Sequence, residues 1–99
     1  MKLILCTICH DVYKLTVGAK RTCKCGHTWG YYLDDGLKAE VSDTPDTIVL
    51  GFHNGTLVDA IRKQRSEGDR ADGFGHPFTA FLMPDNAPNV TKVKSKKAP

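Results

Sequence analysis

Four cysteines constrain this chain of 99 residues more than any other feature: Cys6-x2-Cys9, thirteen intervening residues, then Cys23-x-Cys25. Two cysteine pairs separated by a hairpin-sized insert form the ligand pattern of a tetrahedral thiolate site. Each pair would sit on a tight turn whose backbone amides point at the sulfurs. Four thiolates favour zinc, with iron as the other candidate; zinc is redox-inert and abundant, so it is the default expectation. The second pair is tighter than the usual C-x2-C, which leaves open that His27 replaces Cys25 or that His10 displaces Cys9. Two further readings stand beside the metal. The thiols are reduced and unligated in a core, or Cys23-x-Cys25 is a strained dithiol that exchanges disulfides. The latter makes the Cys6/Cys9 pair a coincidence. A closed four-thiolate site has no vacant coordination position, so the metal is expected to be a structural staple and not a catalyst.

A chain of 10.9 kDa fits one hydrophobic core and benefits from such a staple. Its 40% apolar and 25% charged residues lie in the globular range. The formal charge of +3 is unevenly spread. Lys92, Lys94, Lys96 and Lys97 carry four positive charges with no acid from Thr91 onward, leaving 10 basic and 11 acidic residues in 1–90. Lysine, three apolar residues and a cysteine at the start fall short of the ~7–15-residue apolar stretch of an export signal. A cytoplasmic protein with reduced thiols is therefore expected.

Alternation marks the strands. Tyr13, Leu15 and Val17 alternate with Lys14 and Thr16; Trp29, Tyr31 and Leu33 alternate with polar or small neighbours. Asp34-Asp35-Gly36 predicts a turn back through Leu37–Ser42. Thr44-Pro45-Asp46 predicts another turn, and the run 47–52 a buried strand. Thr56 and Asp59 have capping-box spacing before a helix with an apolar stripe at Leu57, Val58 and Ile61, stopped by Gly68. Residues 67–75 read as a loop, 78–83 as a last strand, and 85–99 as a flexible basic tail.

Catalytic signals are weak. His53 and His76 have no assigned partner, and Asp34 and Asp35 suit a turn. No nucleophile elbow, phosphate loop or dinucleotide fingerprint is present. A non-enzyme is expected. The first 38 residues hold six basic side chains against three acids, and Lys20, Arg21 and Lys24 fall near the second cysteine pair. With Trp29 and Tyr31 on one strand face, this is a composition that single-stranded nucleic acid or a nucleotide exploits. Core packing of the two aromatics is the competing reading. Arg70 and His76, in the glycine-rich loop, are further candidates for an anionic ligand.

Cys6-Thr7-Ile8-Cys9-His10-Asp11, Cys23-Lys24-Cys25-Gly26, Gly30-Tyr31-Tyr32-Leu33-Asp34 and Gly51-Phe52-His53-Asn54-Gly55 together resemble small zinc-ribbon-like proteins of phages and prophages, over roughly residues 1–84. That resemblance implies a small binding protein in a host cytoplasm: a transcription modulator, a host-protein inhibitor or a sponge for nucleotide immune signals.

The expected architecture is thus a single α+β domain over 1–84. A four-cysteine zinc ribbon (1–33) runs into a small antiparallel sheet with one helix against it, followed by the tail 85–99. Zinc is expected on Cys6, Cys9, Cys23 and Cys25. The expected function is non-catalytic binding of a nucleic acid or nucleotide through Lys20, Arg21, Lys24, Trp29, Tyr31, Arg70 and His76. The alternative is a module that inhibits or adapts a host protein. A homo-oligomer would supply the concave surface that so short a chain lacks.

Overall fold

The computed structural model describes residues 1–70 and 72–94. Its eight strands are β1 (Lys2–Cys6), β2 (Val12–Lys14), β3 (Arg21–Thr22), β4 (Trp29–Tyr32), β5 (Ala39–Ser42), β6 (Thr47–Phe52), β7 (Ala80–Leu82) and β8 (Val90–Val93), with one helix, α1 (Asn54–Glu67). The α+β class holds, but the expected small antiparallel sheet is two four-stranded sheets, ordered β2-β1-β6-β7 and β3-β4-β5-β8. The first is antiparallel throughout; in the second, β8 lies parallel to β5.

Strand alternation decides what lies between the sheets. On β1, Ile4 and Cys6 point inward; register places Ile4 opposite both Tyr13 of β2 and Val49 of β6. These meet Val41 and Ala39 of β5, with Leu15 and Val90, in one buried cluster that also contains Cys6 and Cys23. Gly30 of β4 allows the close approach: a Cβ there would stand 2.6 Å from Ile4 Cδ1 and 3.1 Å from both Leu15 and Val41. Because Gly30 faces the core, its neighbours Trp29 and Tyr31 face away from it.

The other face of the first sheet is also apolar. Leu3 and Leu5 of β1, Ile48 and Leu50 of β6, Leu82 of β7 and Val12 of β2 align across the strands there. The first four are half-buried, and Leu82 and Val12 are exposed.

Residues 85–94 depart from the expected flexible tail. Ala87 N–H donates to Pro84 O, Ala87 and Val90 enter the core, and β8 supplies hydrogen-bonding partners to the open edge of β5. Lys92 reaches Asp85 at 3.0 Å. The tail lysines Lys96 and Lys97 lie outside the described residues.

The helix differs from expectation at its start and in its packing. It begins at Asn54, so Thr56 is inside the first turn and Asp59 is too far along to complete a capping box. His53 is the N-cap: its Nδ1 accepts from Thr56 N–H at 3.1 Å. The Thr56 hydroxyl instead donates to His53 O and accepts from Thr79 N–H. Gly68 ends the helix at a φ of 79°. Only Ala60 of the helix is buried, while Val58 and Ile61 remain 43% and 42% exposed. The helix leans on the loop leading into β7, not on a sheet face. No helix among the described residues is long and apolar enough to cross a membrane.

Gly30→Ala is expected to destabilise the protein by about 1–3 kcal/mol, because its three close neighbours are boxed into the core. Gly51→Ala meets mainly the Phe81 ring, which is half-exposed and free to swing, so it should cost less. Urea unfolding of the two variants measures the difference.

Candidate metal centre

Both cysteine pairs sit where a strand ends in a tight turn. Cys6 is the last residue of β1; His10 N–H donates to Cys6 O at 2.8 Å, and His10 adopts a φ of 60° as the chain reverses toward β2. In the second turn Gly26 N–H donates to Cys23 O at 3.1 Å, with Gly26 at a φ of 77°. The β1–β2 and β3–β4 pairings set these turns side by side.

As a result the Sγ atoms of Cys6, Cys9, Cys23 and Cys25 all lie within 4.8 Å of one another. Cys23 and Cys25 sulfurs are 3.4 Å apart, and those of Cys6 and Cys25 3.8 Å. Tetrahedral coordination at about 2.3 Å per zinc–sulfur bond requires sulfur–sulfur edges of about 3.8 Å. The donor set and its spacing therefore fit one metal ion. Cys6 and Cys23 are buried, Cys9 is half-buried and Cys25 is exposed.

The histidines stand outside this cluster. His27 Nε2 bonds Asp46 Oδ2 at 2.9 Å, and His10 is exposed in the turn.

Thiol protonation follows the hydrogen bonding. Burial works against the Cys23 thiolate, but the Thr28 hydroxyl and amide, with the neighbouring thiols, outweigh it and bring Cys23 down to about 5. At Cys25 the His27 amide favours the thiolate, yet the Cys23 sulfur beside it and partial burial prevail and push it up to about 12. The Asp11 amide, then that of Cys25, lowers Cys9. A divalent cation at the centre of the four sulfurs would favour the thiolate of each.

Partners of the cluster went unnoticed in the sequence. Tyr13 Oη and Thr28 Oγ1 are 3.0 Å apart in the core, and Thr28 N–H reaches Cys23 Sγ at 3.4 Å. Asp11 Oδ2 accepts from Lys24 N–H at 3.1 Å, tying the first turn to the second. Asp46 accepts the Thr7 hydroxyl at 2.5 Å as well as His27. The Thr7 hydroxyl first, then His27 and Thr44, hold the Asp46 carboxyl below the usual range against partial desolvation. None of these residues carries a motif; their roles depend on which strands pair.

The candidate ligand-binding residues separate into two groups. Trp29 and Tyr31 stack on the face of the second sheet opposite to Gly30, centroids 6.2 Å apart and 13° from parallel; Trp29 is buried and Tyr31 half-buried, and the Lys20 ammonium stands 3.9 Å over the indole. Arg21 and Lys24 are exposed, but Arg21 pairs with Gly30 across β3 and β4, so its side chain leaves the sheet on the face opposite to Trp29 and Tyr31; Lys24 lies in the second cysteine turn. An open cleft of about 330 Å³ adjoins Trp29 and is lined also by His27, Thr44 and Lys94. Tyr31 donates its hydroxyl to Glu40, which raises its pKa and leaves only the ring to a ligand. Arg70 and His76 are elsewhere. Arg70 pairs with Asp72 at 2.5 Å, and His76 bonds Gly68 O and the Gln64 side chain at the end of α1. The structure does not bring them to the aromatic face.

No protein-family model, curated protein or solved structure matches the chain. What the centre does is read from its own residues.

Purified protein is expected to carry one metal ion per chain. Cys6→Ser or Cys23→Ser should lose it, and His27→Gln or His10→Ala should keep it; elemental analysis decides. A second expectation concerns alkaline pH. Burial raises Tyr13 to about 12 from an ordinary value of 10, so its neutral form is favoured in the fold. The associated stability is complete below pH 10 and is lost as pH climbs from 10 through about 12. Tyr13→Phe should flatten that decline in urea midpoints.

Proposed function

We propose that this chain is a zinc-stapled, non-catalytic binding protein whose ligand is single-stranded nucleic acid or a nucleotide, taken up on the outer face of the second sheet. Zinc suits four thiolates because a closed d¹⁰ site tolerates a sulfur tetrahedron without redox chemistry. Cys6, Cys9, Cys23 and Cys25 would hold it, making the N-terminal part a zinc ribbon. The metal there would fix two turns and leave binding to the surfaces they support.

The observation that carries the ligand reading is the stacked Trp29–Tyr31 pair on the face opposite to Gly30, with Lys20 covering the buried indole and the half-buried Tyr31 ring the more accessible of the two. Aromatic faces offer stacking to any base, and cations along the same face meet phosphates. Lys20 stands over the indole, Lys24 lies in the neighbouring cysteine turn, and Lys94 lines the cleft beside Trp29 together with Asp43; Arg21 starts on the opposite face of the sheet. Such a protein acts by sequestering its ligand or delivering it, as an accessory or anti-defence factor in a phage-infected host cytoplasm.

A protein partner is the second reading, favoured by the aliphatic outer face of the first sheet. Leu3, Leu5, Ile48, Leu50 and Leu82 form it without an acidic residue among them. Continuous apolar surface of this kind marks protein contacts more often than nucleic-acid contacts.

Trp29 is the only tryptophan, so its fluorescence reports directly on the proposed face. Titration with a single-stranded oligonucleotide should quench it. With three to four phosphate contacts, affinity should fall roughly 20–50-fold between about 50 and 200 mM salt. Lys20→Ala and Lys94→Ala should each reduce the logarithmic salt slope by about 0.7, whereas Arg21→Ala, on the opposite face, should leave it unchanged. Binding that ignores salt, or a host protein lost on Leu50→Lys while Lys20→Ala is silent, gives the function to the first sheet instead.

A further inference from the structure

We propose that Asp46 is the positioning residue of the metal centre, one carboxylate that clasps both cysteine turns from outside the sulfur cluster. The inference rests on the metal reading above. Thr7, between Cys6 and Cys9, donates its hydroxyl to Asp46 Oδ1 at 2.5 Å and its amide to Asp46 O at 3.0 Å. His27, two residues beyond Cys25, bonds Asp46 Oδ2 at 2.9 Å. Each oxygen of the carboxylate thus holds one of the two turns.

The clasp is itself anchored. Asp46 precedes Thr47, the residue that pairs with Cys6 across β1 and β6, so its backbone is fixed by the sheet that carries the first ligand. The Thr44 hydroxyl accepts from Asp46 N–H at 3.2 Å and closes the turn beneath it. Asp46 contributes no atom to the cluster of four sulfurs. It acts on the metal through its neighbours, by keeping two turns from opposite sheets at coordination distance before the ion arrives. Outer partners of metal ligands are worth about 10–100-fold in affinity. Because Asp46 touches residues beside the ligands and not the sulfurs themselves, the lower end applies.

Zinc competition with a chromophoric chelator tests the clasp on the full chain, and cobalt substitution tests its geometry. Asp46→Ala should weaken zinc binding and speed its release about tenfold. The thiolate-to-cobalt bands should stay unchanged, since all four sulfurs remain. Asp46→Asn should recover most of the loss, because its Oδ1 still accepts from Thr7 and its amide can donate to neutral His27. Thr7→Val should weaken binding in the wild-type background and add nothing on top of Asp46→Ala. Should Asp46→Ala fail to fold, Thr7→Val, His27→Ala and their double variant carry the same comparison, with losses that are less than additive. Release at the wild-type rate from Asp46→Ala, or fully additive losses, overturns the clasp while leaving the metal reading intact. Wild-type protein that binds neither zinc nor cobalt overturns both.

Discussion

The two sheets are joined at the cysteine cluster. Cys6 ends a strand of the first sheet and Cys23 follows a strand of the second, and both are buried in the same apolar core. Four thiols within 4.8 Å are a poor joint without a cation, since ionising one opposes ionising the next. With a cation they become the strongest cross-link available to a chain of this size. The remaining fold needs such a link. The core residues are mostly small or medium-sized, and the single helix buries one alanine.

Around that joint the outer hydrogen bonds all cross between turns. Asp11 reaches the Lys24 amide, Asp46 reaches Thr7 and His27, and Tyr13 meets Thr28 beside the Cys23 sulfur. Each replaces freedom of one turn relative to the other, which is the motion that would let a bound ion escape. The arrangement is economical because β1 pairs with both β2 and β6, so the residues at its end are surrounded on two sides.

Two surfaces of different chemistry flank the joint. The outer face of the first sheet is aliphatic, and that of the second carries stacked aromatics under a lysine. The overall +3 describes neither of them. A neutral body lets local features govern recognition: stacking and phosphate contact on one side, apolar burial on the other. That contrast is why salt dependence separates the proposed functions.

Much of the local structure was legible in the chain. Alternation located β4 and the last two residues of β2, the β-branched run 47–52 is β6 over its full length, and Asp34-Asp35-Gly36 is a turn with Asp35 accepting from the Leu37 and Lys38 amides. Cysteine spacing indicated the cluster. These signals are local, carried by side-chain period, turn chemistry and ligand spacing. The failures share a different cause. Val90 and Val93, set among asparagine, threonine and lysines, read as a tail because their strand is worth forming only against the open edge of β5, 51 residues away. Thr56 has the sequence of a cap, yet His53 takes the position once Asn54 and Gly55 join the helix. Arg70 and His76 looked like companions of Lys20 until the loop folded back on α1. Sequence alone determined which residues turn and extend and which four thiols come together. Tertiary structure decided which face of Trp29 looks outward and which carboxylate holds both turns, because those depend on long-range strand register, which no local pattern encodes.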